Sequence, residues 1–246
     1  MRFSFGGKMT PVVLALLVAN VVMFIVQQLV GGNIAQVLGL SVKYFGPWQF
    51  ITSMFLHGDV THIFFNMFAL MILGKDVERS IKSVPFVVLY FTAGIFAGLC
   101  YLGFSAITGA TQVPAIGASG AVFGILMAFA YYYPQRQIWF IPARYFVWIL
   151  IGIETVLMAT GAQGNMAHVA HIGGALWGLA FLRGRPWWDN LLLAQKQRRA
   201  TGEADKYRQK RRRVDKLLEK INREGIASLT NEERDFLKKA SRDYQN

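Results

Sequence analysis

Apolar residues run in six blocks along this chain, at about residues 11–30, 60–74, 85–105, 116–133, 144–160 and 166–183. Each approaches the roughly 17–25 residues that a helix needs to cross a hydrocarbon core. Together they predict an all-α membrane protein, a bundle of six transmembrane helices. The second block is short, so it is expected to be extended by the segment before it, or to sit in a thinned bilayer. The first block follows Arg2 and Lys8 as a signal peptide would, but it is long and ends on Gln27-Gln28 with no convincing cleavage site. It is read as a retained span. Beyond residue 185 the pattern changes. Val214, Leu217, Leu218 and Ile221 recur at a helical period, and Gly225 suits a helix C-cap. Thr230-x-x-Glu233 is a capping box for a second helix with Phe236, Leu237 and Ala240 on one side. The chain therefore divides into a membrane domain over 1–185, a basic juxtamembrane linker over 186–213 and a small helical hairpin over 214–246.

Composition agrees with the pattern. Hydrophobic residues make up 54% and charged residues only 16%, with a positive mean hydropathy, which an ordinary soluble domain does not show. The charge is uneven: residues 184–246 hold 17 Lys/Arg and 10 Asp/Glu, leaving 9 basic and 4 acidic side chains for the rest. In a six-span topology Arg2, Lys8, Lys75, Arg79, Lys82, Arg136, Arg144, Arg183 and Arg185 all fall on one side, and Lys43 alone on the other. The positive-inside rule puts both termini and the tail in the cytoplasm, as in a multi-pass protein of a bacterial-like inner membrane. Trp48, Trp139, Trp187 and Trp188 fall near span ends, where indole favours the interface. The basic run through Lys210, Arg211, Arg212 and Arg213 suits anionic lipid headgroups, and no motif points to nucleic acid. Cys100 is the single cysteine, so no disulfide forms within one chain. Oligomeric state is not legible.

Polar groups inside these blocks are the candidate chemistry, since ionisable and polar side chains in hydrocarbon are costly. With the N-terminus inside, spans two, four and six all run inward from the external face. His62 and Asn66 near the start of span two, Ser119 near the start of span four and His171 in span six then lie within roughly 10 Å of that face, at 1.5 Å per residue. Gly117 and Gly120 flank Ser119 and permit a tight turn into a helix whose first N–H groups are unpaired. His62 and Asn66 share a helical face and can both donate hydrogen bonds, which suits an oxyanion hole. His171 is the candidate base for Ser119, with His168 one turn earlier as a rival. Gly173, Gly174 and Gly178 form a small-residue face on which span six can pack closely. The acids of the membrane body are Asp59, Asp76, Glu78 and Glu154. Glu154 is read as mid-span and too deep to meet the site. The expectation is therefore a Ser–His dyad, its imidazole oriented by packing on Phe123. A metal held by His57, His62, His168 and His171 would leave Ser119 unexplained, so neither a metal nor a cofactor is expected.

Three stretches carry a family resemblance: W-Q-F-I-T-S-M-F-L-H-G-D-V-T-H-I-F-F-N (48–66), G-A-S-G-A-V-F-G (117–124) and A-H-I-G-G-A-L-W-G (170–178). In this order, on alternate spans, the chain resembles the rhomboid intramembrane serine proteases over about residues 8–185. The resemblance implies a six-helix bundle with a water-filled cavity open outward and single-span membrane proteins as substrates. It makes Ser119 the nucleophile and His171, in its H-I-G-G context, the base. The Ser119 backbone N–H, His62 and Asn66 then form the oxyanion hole, and His57 matches a position on the external side of the site. Many members carry Trp-Arg where this chain has Trp48-Gln49, a change that bears on loop stability more than chemistry. Two other readings compete. A non-catalytic rhomboid-like protein would bind and escort membrane clients. A transporter is disfavoured, because there is no second inverted half.

Overall fold

The computed structural model describes residues 8–31, 34–109, 114–160 and 165–243. Arg2, counted above among the cations of one face, lies outside them. Helix α1 (Pro11–Val30) begins with Thr10 at its N-cap position and Pro11 in its first turn, where a missing N–H costs nothing. A loop with two short helices, α2 (Ile34–Leu38) and α3 (Gln49–Thr52), leads to α4 (Val60–Ala69). A widened π turn at Leu70–Gly74 carries α4 into α5 (Lys75–Ile81). The second apolar block is thus lengthened at its far end, through Ile81, and not by the segment before it. Charged residues at 75, 76, 78 and 79 hid this, because they end the apolar run without ending the helix.

Helix α6 (Ser83–Thr108) follows, then α7 (Ser119–Tyr132), most of whose residues are buried. Between α7 and α8 (Ala143–Ala159) lies a two-stranded antiparallel hairpin, β1 (Gln137–Ile138) and β2 (Ile141–Pro142), with Trp139 at φ 58° in its turn. The all-α expectation lacked it, since two-residue strands are too short to show alternation. Among the described residues, three helical stretches are long and apolar enough to cross a membrane: Pro11–Val30, Val60–Ile81 and Ser83–Thr108. Helix α7 is apolar but shorter.

Helix α9 runs unbroken from Asn165 to Glu224, with Pro186 inside it. The stretch 186–213, read as a linker, is therefore helical throughout. The chain forms two compact units, Met1–Gly184 and Arg185–Asn246. In the second, Gly225 ends α9 at φ 79° and α10 (Asn231–Asp243) follows. The capping box is formed: Thr230 N–H donates to Glu233 Oε2 at 2.8 Å, and Glu233 N–H to Thr230 Oγ1 at 3.2 Å. Those bonds, with Lys220 beside them, hold the Glu233 carboxyl below its ordinary range. Leu217 and Ala240 are buried, whereas Leu218, placed above on the same face, is exposed.

The end of the bundle near α5 is tied by buried acids. Glu78 accepts from the N–H groups of Val12 and Val13 at 3.3 and 3.0 Å and from Ser83 Oγ at 2.7 Å, so it satisfies the start of α1. Asp76 pairs with Arg136 at 2.8 Å and Arg79 at 3.3 Å, bridging α5 to the turn after α7. Breaking a buried pair leaves an uncompensated charge. Asp76→Asn is expected to lower stability by about 1–2 kcal/mol, since the arginines left behind are partly solvated, read as a fall in thermal midpoint in detergent; an unchanged midpoint would contradict this account of the bridge.

Candidate active site

Ser119 is the first residue of α7, and Gly117 before it adopts φ 125°. That backbone is rarely open to other residues. The turn is held by the Gly117 N–H donating to Ser53 carbonyl at 2.9 Å, and by paired bonds between Leu40 and Ala115. The Ser119 hydroxyl lies 2.8 Å from His171 Nε2. The imidazole stacks on Phe123, with ring centroids 4.5 Å apart and planes 9° from parallel.

Close packing of α9 on α7 and α6 makes this reach possible. A Cβ on Gly174 would stand 2.0 Å from the Gly120 carbonyl oxygen, and one on Gly178 2.6 Å from that of Gly124. A Cβ on Gly173 would meet Cys100 Sγ at 2.6 Å, and Trp177 Nε1 donates to Thr92 Oγ1 at 2.8 Å. The small-residue face is thus a backbone-to-backbone seam, and it sets the distance between His171 and Ser119.

On the other side of Ser119, α4 starts with Asp59 capping the His62 N–H at 2.8 Å. Gly58 N–H donates to His62 Nδ1 at 3.3 Å, which leaves Nε2 as the protonated nitrogen. That edge of the ring lies over Gly117, where a Cβ would come within 2.9 Å of it. Asn66 is buried one turn on, and its Nδ2 uses one hydrogen on the His62 carbonyl at 3.0 Å, keeping the second.

Two cavities meet at the serine and histidine. One, about 350 Å³, is lined by Leu40, Gly98, Gly117 and Ala170. The other, about 1050 Å³, is an apolar cleft between α4, α7 and α8, lined by His62, Asn66, Phe65, Phe146 and Trp139. Ser119 and His171 belong to both walls.

Three residues read from the sequence are placed here, and one of them, Glu154, is a correction. His57 lines neither cavity; it is fully buried behind His62, with the two rings 5.1 Å apart. Its backbone is gripped by Gln27, which accepts from the His57 N–H at 3.1 Å and donates to its carbonyl at 2.7 Å. Gln27 was noted only as a span end. Burial, then the neighbouring His62, lowers the His57 imidazole to about 4, against a small opposing pull from the Phe55 carbonyl. Neither ring nitrogen makes a well-formed hydrogen bond. Because the folded state holds this ring neutral, its contribution is complete above about 6.5 and is lost as pH falls toward 4, by at most about 3 kcal/mol. The thermal midpoint should fall over that window less steeply in His57→Phe; an identical slope would contradict the assignment.

The second is Gln49, expected to bear on loop stability more than on chemistry. It is fully buried, accepts from the N–H groups of Ser41 and Gly46 at 3.2 Å each, and donates to the carbonyls of Val37 and Tyr44 at 3.1 and 2.9 Å. One neutral amide thus satisfies four backbone groups of the loop.

The third is Glu154. Its Oε2 lies 2.5 Å from His168 Nδ1 and 3.1 Å from His171 Nδ1, the latter close in distance but off the hydrogen-bonding line. The acid is five residues from the Ala159 end of α8, and His171 is six from the Asn165 end of α9. Counted from those helix ends, they lie about 7.5 and 9 Å along their helices. Among the described residues, the potential metal ligands that converge are Glu154, His168 and His171, and not the four histidines.

A sequence model of the rhomboid domain matches residues 44–184, and a family of unknown function matches 204–243. The chain is 27% identical over 174 residues to Rhomboid protein 1, mitochondrial, of Saccharomyces cerevisiae, covering 58% of this chain and 50% of that one. It is 33% identical over 132 residues to Rhomboid protease GluP of Bacillus subtilis, covering 53% and 24%. Against Rhomboid protease AarA of Providencia stuartii it is 30% identical over 173 residues, covering 61% and 58%. The chain thus spans between a quarter and three fifths of these relatives. They are consistent with an integral membrane protein, but the presence of a mitochondrial relative does not support the bacterial inner membrane expected from sequence.

Proposed function

Since the chain belongs to the rhomboid family, we propose that it is an intramembrane serine endopeptidase that cleaves single-span membrane proteins near the external face. The observation that carries this reading is the 2.8 Å approach of Ser119 Oγ to His171 Nε2 at the junction of two cavities. Ser119 Oγ attacks the scissile carbonyl and its proton passes to His171 Nε2. The oxyanion meets the Ser119 backbone N–H, His62 Nε2–H and Asn66 Nδ2–H, three donors around the start of α7. Collapse of this intermediate expels the amine, which takes its proton from His171. Water then enters, His171 removes its proton, and the ester is hydrolysed.

The six apolar blocks correspond to α1, the α4–α5 helix, α6, α7, α8 and the first part of α9, with both termini cytoplasmic. Helix α7, at 14 residues, is about 21 Å long, against a hydrocarbon core of about 30 Å. A serine at its N-terminus then sits several Å below the outer interface. Substrate enters from the apolar cleft, and a target helix must unwind locally to present its carbonyl. The basic part of the tail meets anionic lipid headgroups.

The test is cleavage of a model single-span substrate in liposomes by the purified full chain. A cut near the external end of the span, abolished in Ser119→Ala, is expected. Equal cleavage by Ser119→Ala would refute the proposal.

A further inference from the structure

The mechanism above uses His171 but gives no part to Glu154 or His168. For His171 to accept a proton from Ser119, its Nε2 must be bare, so the single ring hydrogen must sit on Nδ1. Glu154 Oε2 stands 3.1 Å from that nitrogen, off the hydrogen-bonding line, so it acts there as a nearby negative charge. The same oxygen is 2.5 Å from His168 Nδ1, in a hydrogen bond. An ionisable group buried among spans is costly and marks function more often than packing. Glu154 is 8% exposed.

Resting on the Ser119–His171 reading, we propose that Glu154 is a positioning residue for His171, held ready by His168. His168 Nδ1–H donates to Oε2 and fixes where the carboxylate points. The carboxylate then selects the His171 tautomer with hydrogen on Nδ1. When Ser119 attacks, its O–H bond breaks, an N–H bond forms at Nε2, and the resulting imidazolium lies beside a negative charge. The proton later leaves with the amine, and Glu154 is unchanged throughout. Helices α8 and α9 thus supply a third partner that a two-residue device lacks.

The test measures steady-state cleavage in liposomes, with fluorophosphonate labelling of Ser119 as a readout that needs the base but no peptide. Glu154→Gln keeps the shape and removes the charge. It is expected to lower kcat by about tenfold or more, with KM held within about twofold, and to slow labelling by a similar factor. Glu154→Asp restores part of the loss. His168→Phe loosens the carboxylate without removing its charge, so it is expected to lower kcat by a smaller factor than Glu154→Gln. Wild-type kcat and labelling in Glu154→Gln would overturn the proposal. Equal losses in Glu154→Gln and His168→Phe would overturn it too, by marking the carboxylate as a pin between α8 and α9. A wild-type chain that neither cleaves nor labels sinks the underlying protease reading as well, and is distinguished from both outcomes by the unmodified control.

Discussion

Gly174→Ala is expected to lower cleavage by at least about a hundredfold while leaving Ser119 and His171 chemically intact. The added Cβ would stand 2.0 Å from the Gly120 carbonyl oxygen, 2.8 Å from its carbon and 3.1 Å from its Cα. All three atoms are helix backbone, so no side chain can swing aside. Relief requires α9 to retreat from α7 by more than about 1 Å to restore van der Waals spacing. His171 lies three residues from Gly174 on the same helix, and its 2.8 Å contact with Ser119 would stretch beyond hydrogen-bonding range. A misplacement of about 1 Å costs about 10²-fold in rate, and overpacking adds about 1–3 kcal/mol of instability. Gly152→Ala on α8 is the control, since nothing lies within 4 Å of its Cβ. There a neutral or slightly stabilising effect is expected. Near-wild-type turnover in Gly174→Ala would mean that the seam does not set the catalytic distance.

The second large effect belongs to the base. His171→Ala is expected to reduce turnover by about 10³-fold or more, because a positioned general base contributes about 10²–10⁴ and Ser119 is a poor nucleophile without one. His168→Ala should fall far less, since His168 meets Glu154 and not Ser119. Cleavage rates of the two variants at equal membrane density decide between them. If His168→Ala abolishes activity and His171→Ala does not, the proton acceptor has been misassigned.

Much of this site is legible in the sequence because depth is countable. Ser119, His62, Asn66 and His171 stand near the starts of alternate apolar blocks, so a rise of 1.5 Å per residue brings them to one level before any contact is known. Glu154 stands near the middle of its apolar block, and its position along that block alone does not show its approach to His171. Gln27 and Gln49 escape for a different reason. Both act through side-chain amides on loop backbone, at distances of 30 residues in one case and 3–12 in the other, and a lone glutamine has no pattern that announces such partners. The continuity of α9 is hidden by composition. Residues change from apolar to basic after Leu182, yet Ala, Leu, Gln, Lys and Arg are all good helix formers. The shift therefore leaves the helix backbone unbroken.

Labelling by a serine-reactive fluorophosphonate in liposomes tests the central claim most directly, because it asks whether one hydroxyl among many in this chain is activated. The account predicts a single covalent adduct on Ser119, absent in Ser119→Ala and strongly slowed in His171→Ala. Labelling that persists in Ser119→Ala, or a wild-type chain that takes no label at all, would contradict it.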